Sequence, residues 1–245
     1  MPGRLGLPTD ERPTGPPPKS GLFGELRGVT QLPALLLRSP RLRRMPRGAG
    51  QPVILVPGWR APEASMLPLR RYLNWLGYDA RAWGLGTHYG DPEGDSRRLA
   101  PRVRTLSVEA GQPVHLIGWS LGGVIARETA RALPRHVAQV ITFGSPIIGG
   151  PVYTSVAGTV SPQRRQHFVN RIAQVEAANP LTQPVTAIYS RRDAVVNWKA
   201  CLDHSTPNGT HVEVGSTHLS MGVDADVWQI IALRLANAAE GWDPR

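Results

Sequence analysis

Between residues 52 and 214 short, largely apolar runs recur, each parted from the next by a stretch long enough for a helix or a loop. Val53-Ile54-Leu55-Val56 is apolar throughout and closes on Pro57-Gly58, as a strand buried on both faces should. Residues 79–83, 114–117, 137–143, 184–189 and 211–214 read as further strands. Helices are expected over 67–76, 95–109, 121–133 and 224–239, the last with Val227, Ile230, Ile231 and Leu235 on one side. Apolar strands that alternate with helices pair in parallel, and the crossover helices then cover both faces of the sheet. The expected fold class is therefore α/β, with a mostly parallel sheet. Residues 146–182 break the rhythm and read as a short cap or lid inserted over one end of it.

The division expected is an N-terminal extension over 1–50 and one large domain over 51–245. Residues 1–20 are rich in Pro and Gly and read as a disordered or extended lead-in. Leu22, Leu26 and Val29 then fall on one helical face, Pro33 interrupts, and Arg38, Arg41, Arg43, Arg44 and Arg47 follow. Two readings stay open for 21–47: an amphipathic segment in peripheral contact with a membrane, or a helix packed on the domain with solvated arginines. The net charge of +10 is uneven, since residues 1–50 hold nine basic and three acidic side chains. The rest holds 19 and 15, and no basic run is interleaved with aromatics, which argues against nucleic acid as a partner. There is no apolar stretch long enough to span a bilayer and no apolar signal segment, so a cytoplasmic location is expected. The single Cys201 allows no disulfide within the chain and has no metal-ligand spacing.

Gly118-Trp119-Ser120-Leu121-Gly122, with Gly123 after it, follows the strand 114–117 directly and opens the helix that begins at Leu121. G-x-S-x-G is a loose pattern by itself. In this setting it is a nucleophile elbow, where a strand turns sharply into a helix and holds a serine in a strained conformation. A serine hydroxyl is a weak nucleophile, so it needs a base within reach and a third group to orient that base. In this architecture the acid and then the histidine follow the serine, which removes His88 and His115 as the base. His218 lies in Gly215-Ser216-Thr217-His218, between the last strand and the last helix, and is the candidate. For the acid, Asp193 stands just past the strand 184–189, where functional groups of open α/β sheets collect, whereas Asp203 follows no strand end. Asp224 and Asp226 come after His218 and suit the N-terminus of the last helix. The oxyanion donors should be the N–H of Leu121 and one from Pro57-Gly58-Trp59-Arg60; proline has none, which points to Trp59.

VILVPGW, GWSLGG, SRRDAVVNW and STHLSMG occur in that order along 52–240. Together they resemble the α/β-hydrolase superfamily, and within it bacterial lipases and esterases without the HGGG motif. The family usually has His-Gly where this chain has Pro57-Gly58. The resemblance implies ester hydrolysis through an acyl-enzyme on Ser120, with no cofactor and no metal. Trp119, Trp198 and Met221 surround the expected centre, and Ile147, Ile148, Val152 and Tyr153 add an apolar rim, so the expected substrate is a small-molecule or lipid ester with an apolar acyl group. A thioesterase or acyltransferase would use the same triad, and a non-catalytic lipid-associated protein is the remaining alternative.

Overall fold

The computed structural model describes residues 13–17, 35, 39–159, 161–207 and 209–240. Six strands, β1 Pro52–Val56, β2 Asp79–Ala82, β3 Val114–Trp119, β4 Val137–Phe143, β5 Val185–Tyr189 and β6 Gly209–Glu213, form one sheet in the order β2-β1-β3-β4-β5-β6. Every pairing is parallel. The helices are α1 Ser39–Arg43, α2 Leu67–Trp75, α3 Pro92–Ala110, α4 Leu121–Ala132, α5 Pro162–Ala178 and α6 Ala225–Glu240.

Strand alternation divides the core in two. Val53, Leu55, Ile117 and Ile141 face one side, where Leu69 and Leu73 of α2 and Val227, Ile231 and Leu235 of α6 cover them. Ile54, Val56, Leu116 and Val140 face the other, against Leu99 and Val103 of α3 and Ile125 and Ala130 of α4. β1 is therefore apolar at every position, because both of its faces are dry, while β3, β4 and β5 also bury the polar side chains of His115, Gln139, Thr142 and Thr186. The sheet order reverses at β1, which lies between β2 and β3. The loop after β1 and the elbow after β3 leave neighbouring strands here, and this is where a crevice opens in such sheets.

Element boundaries shift where local signals were subtle. α3 begins at Pro92 rather than at Asp95, because Asp91 accepts a hydrogen bond from the Gly94 N–H (3.0 Å) and proline suits the first turn. β6 begins at Gly209, two residues before the expected start, as its pairing with β5 runs from Val185↔Gly209. Residues 146–182 hold two short 3₁₀ turns and α5, and one bridge, Thr154↔Val196, ties them to the loop after β5.

Of the expected amphipathic segment 21–47, residues 21–34 and 36–38 lie outside the described residues. The described part packs on the domain. Leu42 is buried and its carbonyl accepts the Tyr72 hydroxyl (3.0 Å), while the Arg47 guanidinium lies over the Trp75 ring at 4.4 Å. Within the stretch expected as a disordered or extended lead-in, residues 13–17 pack on the domain: Pro13 and Pro17 are buried and the Gly15 carbonyl accepts from Asn197 Nδ2 at 2.7 Å. No helix among the described residues is long and apolar enough to cross a membrane.

Candidate active site

Ser120 sits between the last residue of β3 and the first of α4 with φ 53° and ψ −127°. A non-glycine residue at such angles costs of order 1–3 kcal/mol, so the surroundings must hold it there. Part of the hold is a hydrogen bond from the Ser120 N–H to the Phe143 carbonyl (2.9 Å). The rest is close packing. A Cβ at Gly118 would strike the backbone of Gly122 and Gly123, and one at Gly122 would strike the carbonyls of Val56 and Pro57. The glycines flanking the serine thus let β3, α4 and the β1 loop approach more closely than any side chain permits.

His218 lies in the loop between β6 and α6, and Asp193 in the loop after β5. His218 Nδ1 is 2.7 Å from Asp193 Oδ2, and both side chains are buried. The other carboxylate oxygen, Oδ1, accepts the N–H groups of Val195 (2.8 Å) and Val196 (2.7 Å). With Oδ1 occupied and only Oδ2 turned to the imidazole, the ring carries its proton on Nδ1 and presents Nε2 as an acceptor. Gly144, at φ +56°, passes close behind this pair: a Cβ there would be 2.9 Å from His218 Nδ1 and 3.2 Å from Asp193 Oδ2.

Asp203, the other carboxylate weighed for the acid, belongs to a different cluster. It pairs with Arg127 of α4 and accepts from Thr206 Oγ1 (2.6 Å), Ser205 Oγ (2.9 Å) and the Thr206 N–H (3.1 Å). Burial alone would raise its pKa, but the Arg127 charge and the hydroxyl hydrogen bonds outweigh that and hold it at about 2. Arg127 also binds Glu176 of α5 (2.8 Å), as does Arg131 (2.5 Å). Asp224 accepts the N–H groups of Asp226 (2.8 Å) and Val227 (3.1 Å), a cap on α6. His115 is a core residue beside Gln139 (3.1 Å), and burial lowers its pKa to about 4.

A cavity of about 590 Å³ opens over Ser120 and Leu121. Its walls include Trp59 from the β1 loop, Tyr89 and Gly90 from the β2 loop, Pro92 at the start of α3, Pro151 and Phe168 from the insertion, and Val195 and Val196 from the acid loop. Neither the Trp59 N–H nor the Leu121 N–H has a hydrogen-bond acceptor among the described residues. Leu121 is the first residue of α4, where no carbonyl precedes it in register.

None of the three side chains expected around the substrate lines the cavity. Met221 is fully buried in the core among the α6 residues. Trp198 stacks on Tyr189 (centroids 5.7 Å apart) with the Arg191 guanidinium over its ring at 4.2 Å, away from the cavity. Trp119 is half-buried against the core with its ring 5.7 Å from that of His218, and does not line the cavity. Ile147 and Ile148 are buried, and Val152 and Tyr153 are also absent from the walls. Tyr89 and Phe168 were missed; Tyr89 stands in Thr87-His88-Tyr89-Gly90, a loop after a strand, which was the available signal.

Residues 53–241 match the model of the alpha/beta hydrolase family. Among curated proteins, the pimeloyl-[acyl-carrier protein] methyl ester esterase of Aliivibrio salmonicida (strain LFI1238) is 24% identical over 179 residues, 71% of this chain and 67% of that enzyme. The enzyme of the same name from Pectobacterium carotovorum subsp. carotovorum (strain PC1) is 28% identical over 171 residues, 64% of each chain. The chain therefore spans about two thirds of the length of these curated relatives. A solved structure from the metagenome-derived lipolytic enzymes LipS and LipT aligns with a TM-score of 0.61 at 17% identity, over 80% of this chain and 96% of that one, and shows a shared fold. The family match runs from the first core strand through the last helix, and on it the chain belongs to the alpha/beta hydrolase family.

Proposed function

We propose that the protein hydrolyses carboxylic esters through an acyl-enzyme on Ser120. The observation that carries this reading is the strained Ser120 at the floor of an apolar cavity, in a chain where the buried Asp193 holds His218 through Nδ1 and so makes Nε2 the basic nitrogen. Ser120 Oγ attacks the acyl carbonyl carbon while its proton passes to His218 Nε2, and Asp193 stabilises the imidazolium that forms. The carbonyl oxygen becomes an oxyanion facing the N–H groups of Trp59 and Leu121. The carbon–oxygen bond to the alcohol then breaks, and His218 gives the departing alkoxide its proton. Water repeats the sequence: its oxygen attacks the acyl carbon, its proton goes to His218, and the acid leaves as Ser120 regains its hydrogen.

The cavity volume lies within the range of small-molecule sites, and its walls are chiefly apolar. This supports an ester with an apolar acyl group. The curated relatives are named as esterases of a methyl ester, which agrees with a small alcohol leaving group.

The deciding experiment is labelling with a fluorophosphonate, followed by turnover of chromogenic esters of increasing acyl length. Wild type is expected to label and to turn over, and Ser120→Ala to do neither while unfolding at the same temperature. A folded wild type that does not label would overturn the proposal.

A further inference from the structure

The β1 loop is an unusual turn. Arg60 has φ 56°, one of two non-glycine residues with positive φ among the described residues, the other being Ser120. The Ala61 N–H closes the turn onto the Gly58 carbonyl (3.0 Å), so Trp59 rides on its crest with its N–H unclaimed. Such a conformation is uncommon for arginine, and something outside the turn must hold it.

His88 does so from both sides. Its ring Nε2 is 3.1 Å from the Pro57 carbonyl, before the turn, and its backbone carbonyl accepts the Arg60 N–H (3.2 Å), within it. A carbonyl can only accept, so Nε2 carries the ring proton and the neutral imidazole donates it. The surroundings favour that state: His88 is buried, its Nδ1 has no hydrogen-bond partner among the described residues, and the nearest carboxylate oxygen among them, Asp95 Oδ2, is 3.9 Å away. Burial lowers the pKa of His88. The ring is fixed in turn by the edge of Trp83 (5.5 Å between centroids), whose indole N–H donates to the Gly86 carbonyl (2.7 Å).

We propose that His88 is a positioning residue for the oxyanion hole: by gripping the Pro57 and Arg60 backbone it aims the Trp59 N–H at the carbonyl oxygen over Ser120. This rests on the ester-hydrolysis reading above. An alternative role, packing alone, would be met by any side chain of similar volume.

The test compares His88→Leu, which fills the space without a donor, with His88→Gln, whose Nε2 can reach the Pro57 carbonyl. Both are assayed for kcat and KM on a chromogenic ester and for affinity towards a trifluoromethyl ketone, whose serine adduct carries the oxyanion. Wild type must first turn over ester; if it does not, it is the function that fails and not the role of His88. Given turnover, H88L is expected to lower kcat about 10- to 100-fold with KM within about twofold, because a donor moved by an ångström costs the transition state and not the ground state. Its affinity for the ketone should fall by a similar factor, and H88Q should recover most of both. If H88L does not fold, His88→Asn, polar but too short for the Pro57 carbonyl, carries the same expectation. Unchanged kcat and ketone affinity in H88L, or an H88Q as impaired as H88L, would overturn the proposal.

Discussion

Replacing Asp203 by asparagine separates the two buried carboxylates that follow β5. Asp203 is held at about 2 against an ordinary 3.8, so its charged form contributes about 2 kcal/mol to folding at neutral pH. Asparagine costs more than that. Both carboxylate oxygens accept hydrogen bonds, Oδ1 from Ser205 and Thr206 and Oδ2 from Thr206 Oγ1 and Arg127, so an amide NH₂ must meet donors on one side. The buried Arg127 would also keep only Glu176 as its close counter-charge among the described residues. Breaking a buried pair from one side costs about 3–5 kcal/mol, equivalent to a melting temperature lower by roughly 10 °C in a chain of this size. The sign with pH follows from a depressed folded pKa. The contribution is complete above 3.8 and is lost as pH falls through about 2, so about half remains at pH 3. Urea unfolding of wild type and Asp203→Asn at pH 7, 5 and 3 would measure this, with the gap between them narrowing only at the lowest pH. The turnover of folded Asp203→Asn should stay within a few-fold of wild type. Equal midpoints at pH 7, or a collapse of kcat in a folded variant, would refute the assignment of Asp203 to a structural cluster.

Asp193→Asn should act in the opposite way. The Val195 and Val196 N–H groups claim its oxygen, the amide NH₂ turns to His218 Nδ1, and the ring is forced to carry its proton on Nε2. A kcat lower by roughly 10³- to 10⁴-fold with little change in KM is expected from steady-state kinetics. Gly144→Ala places a methyl group 2.9 Å from His218 Nδ1 at a positive φ, and should lower kcat at least about tenfold by displacing the His–Asp pair. Unaltered kinetics in that variant would show that the loop can yield.

The fold was legible because its signals are local and repeated. A strand covered on both faces favours apolar side chains on each, and Val53-Ile54-Leu55-Val56 shows that without any knowledge of its neighbours. The placement of Ser120, Asp193 and His218 at strand-end loops could be read in the same way, since chain order and strand position are properties of the sequence. The cavity walls could not. Whether Trp119 or Trp59 faces the substrate depends on a turn whose angles no residue pattern reveals, and Phe168 reaches the site from an insertion with its own path. His88 was set aside because chain order excludes it as the base, but order says nothing about a histidine that holds another loop in place. The start of α3 was misjudged for want of one cap: Asp91-Pro92 carries the signal, and Asp95 merely lies in the first turn.

The cap helix α5 is fastened unevenly. At its C-terminal end Glu176 is enclosed by two buried arginines of α4, contacts that are costly to break. Nearer its middle, Arg171 meets Glu93 of α3 across the surface, a half-exposed pair worth little. Phe168, on the cavity wall, is eight residues from Glu176, about 12 Å along the axis. With that lever arm, a tilt of roughly 20° about the Glu176 end would displace Phe168 by about 4 Å. The ion pairs thus hold α5 to α4 firmly at its C-terminal end and only loosely to α3 at its solvent-facing middle.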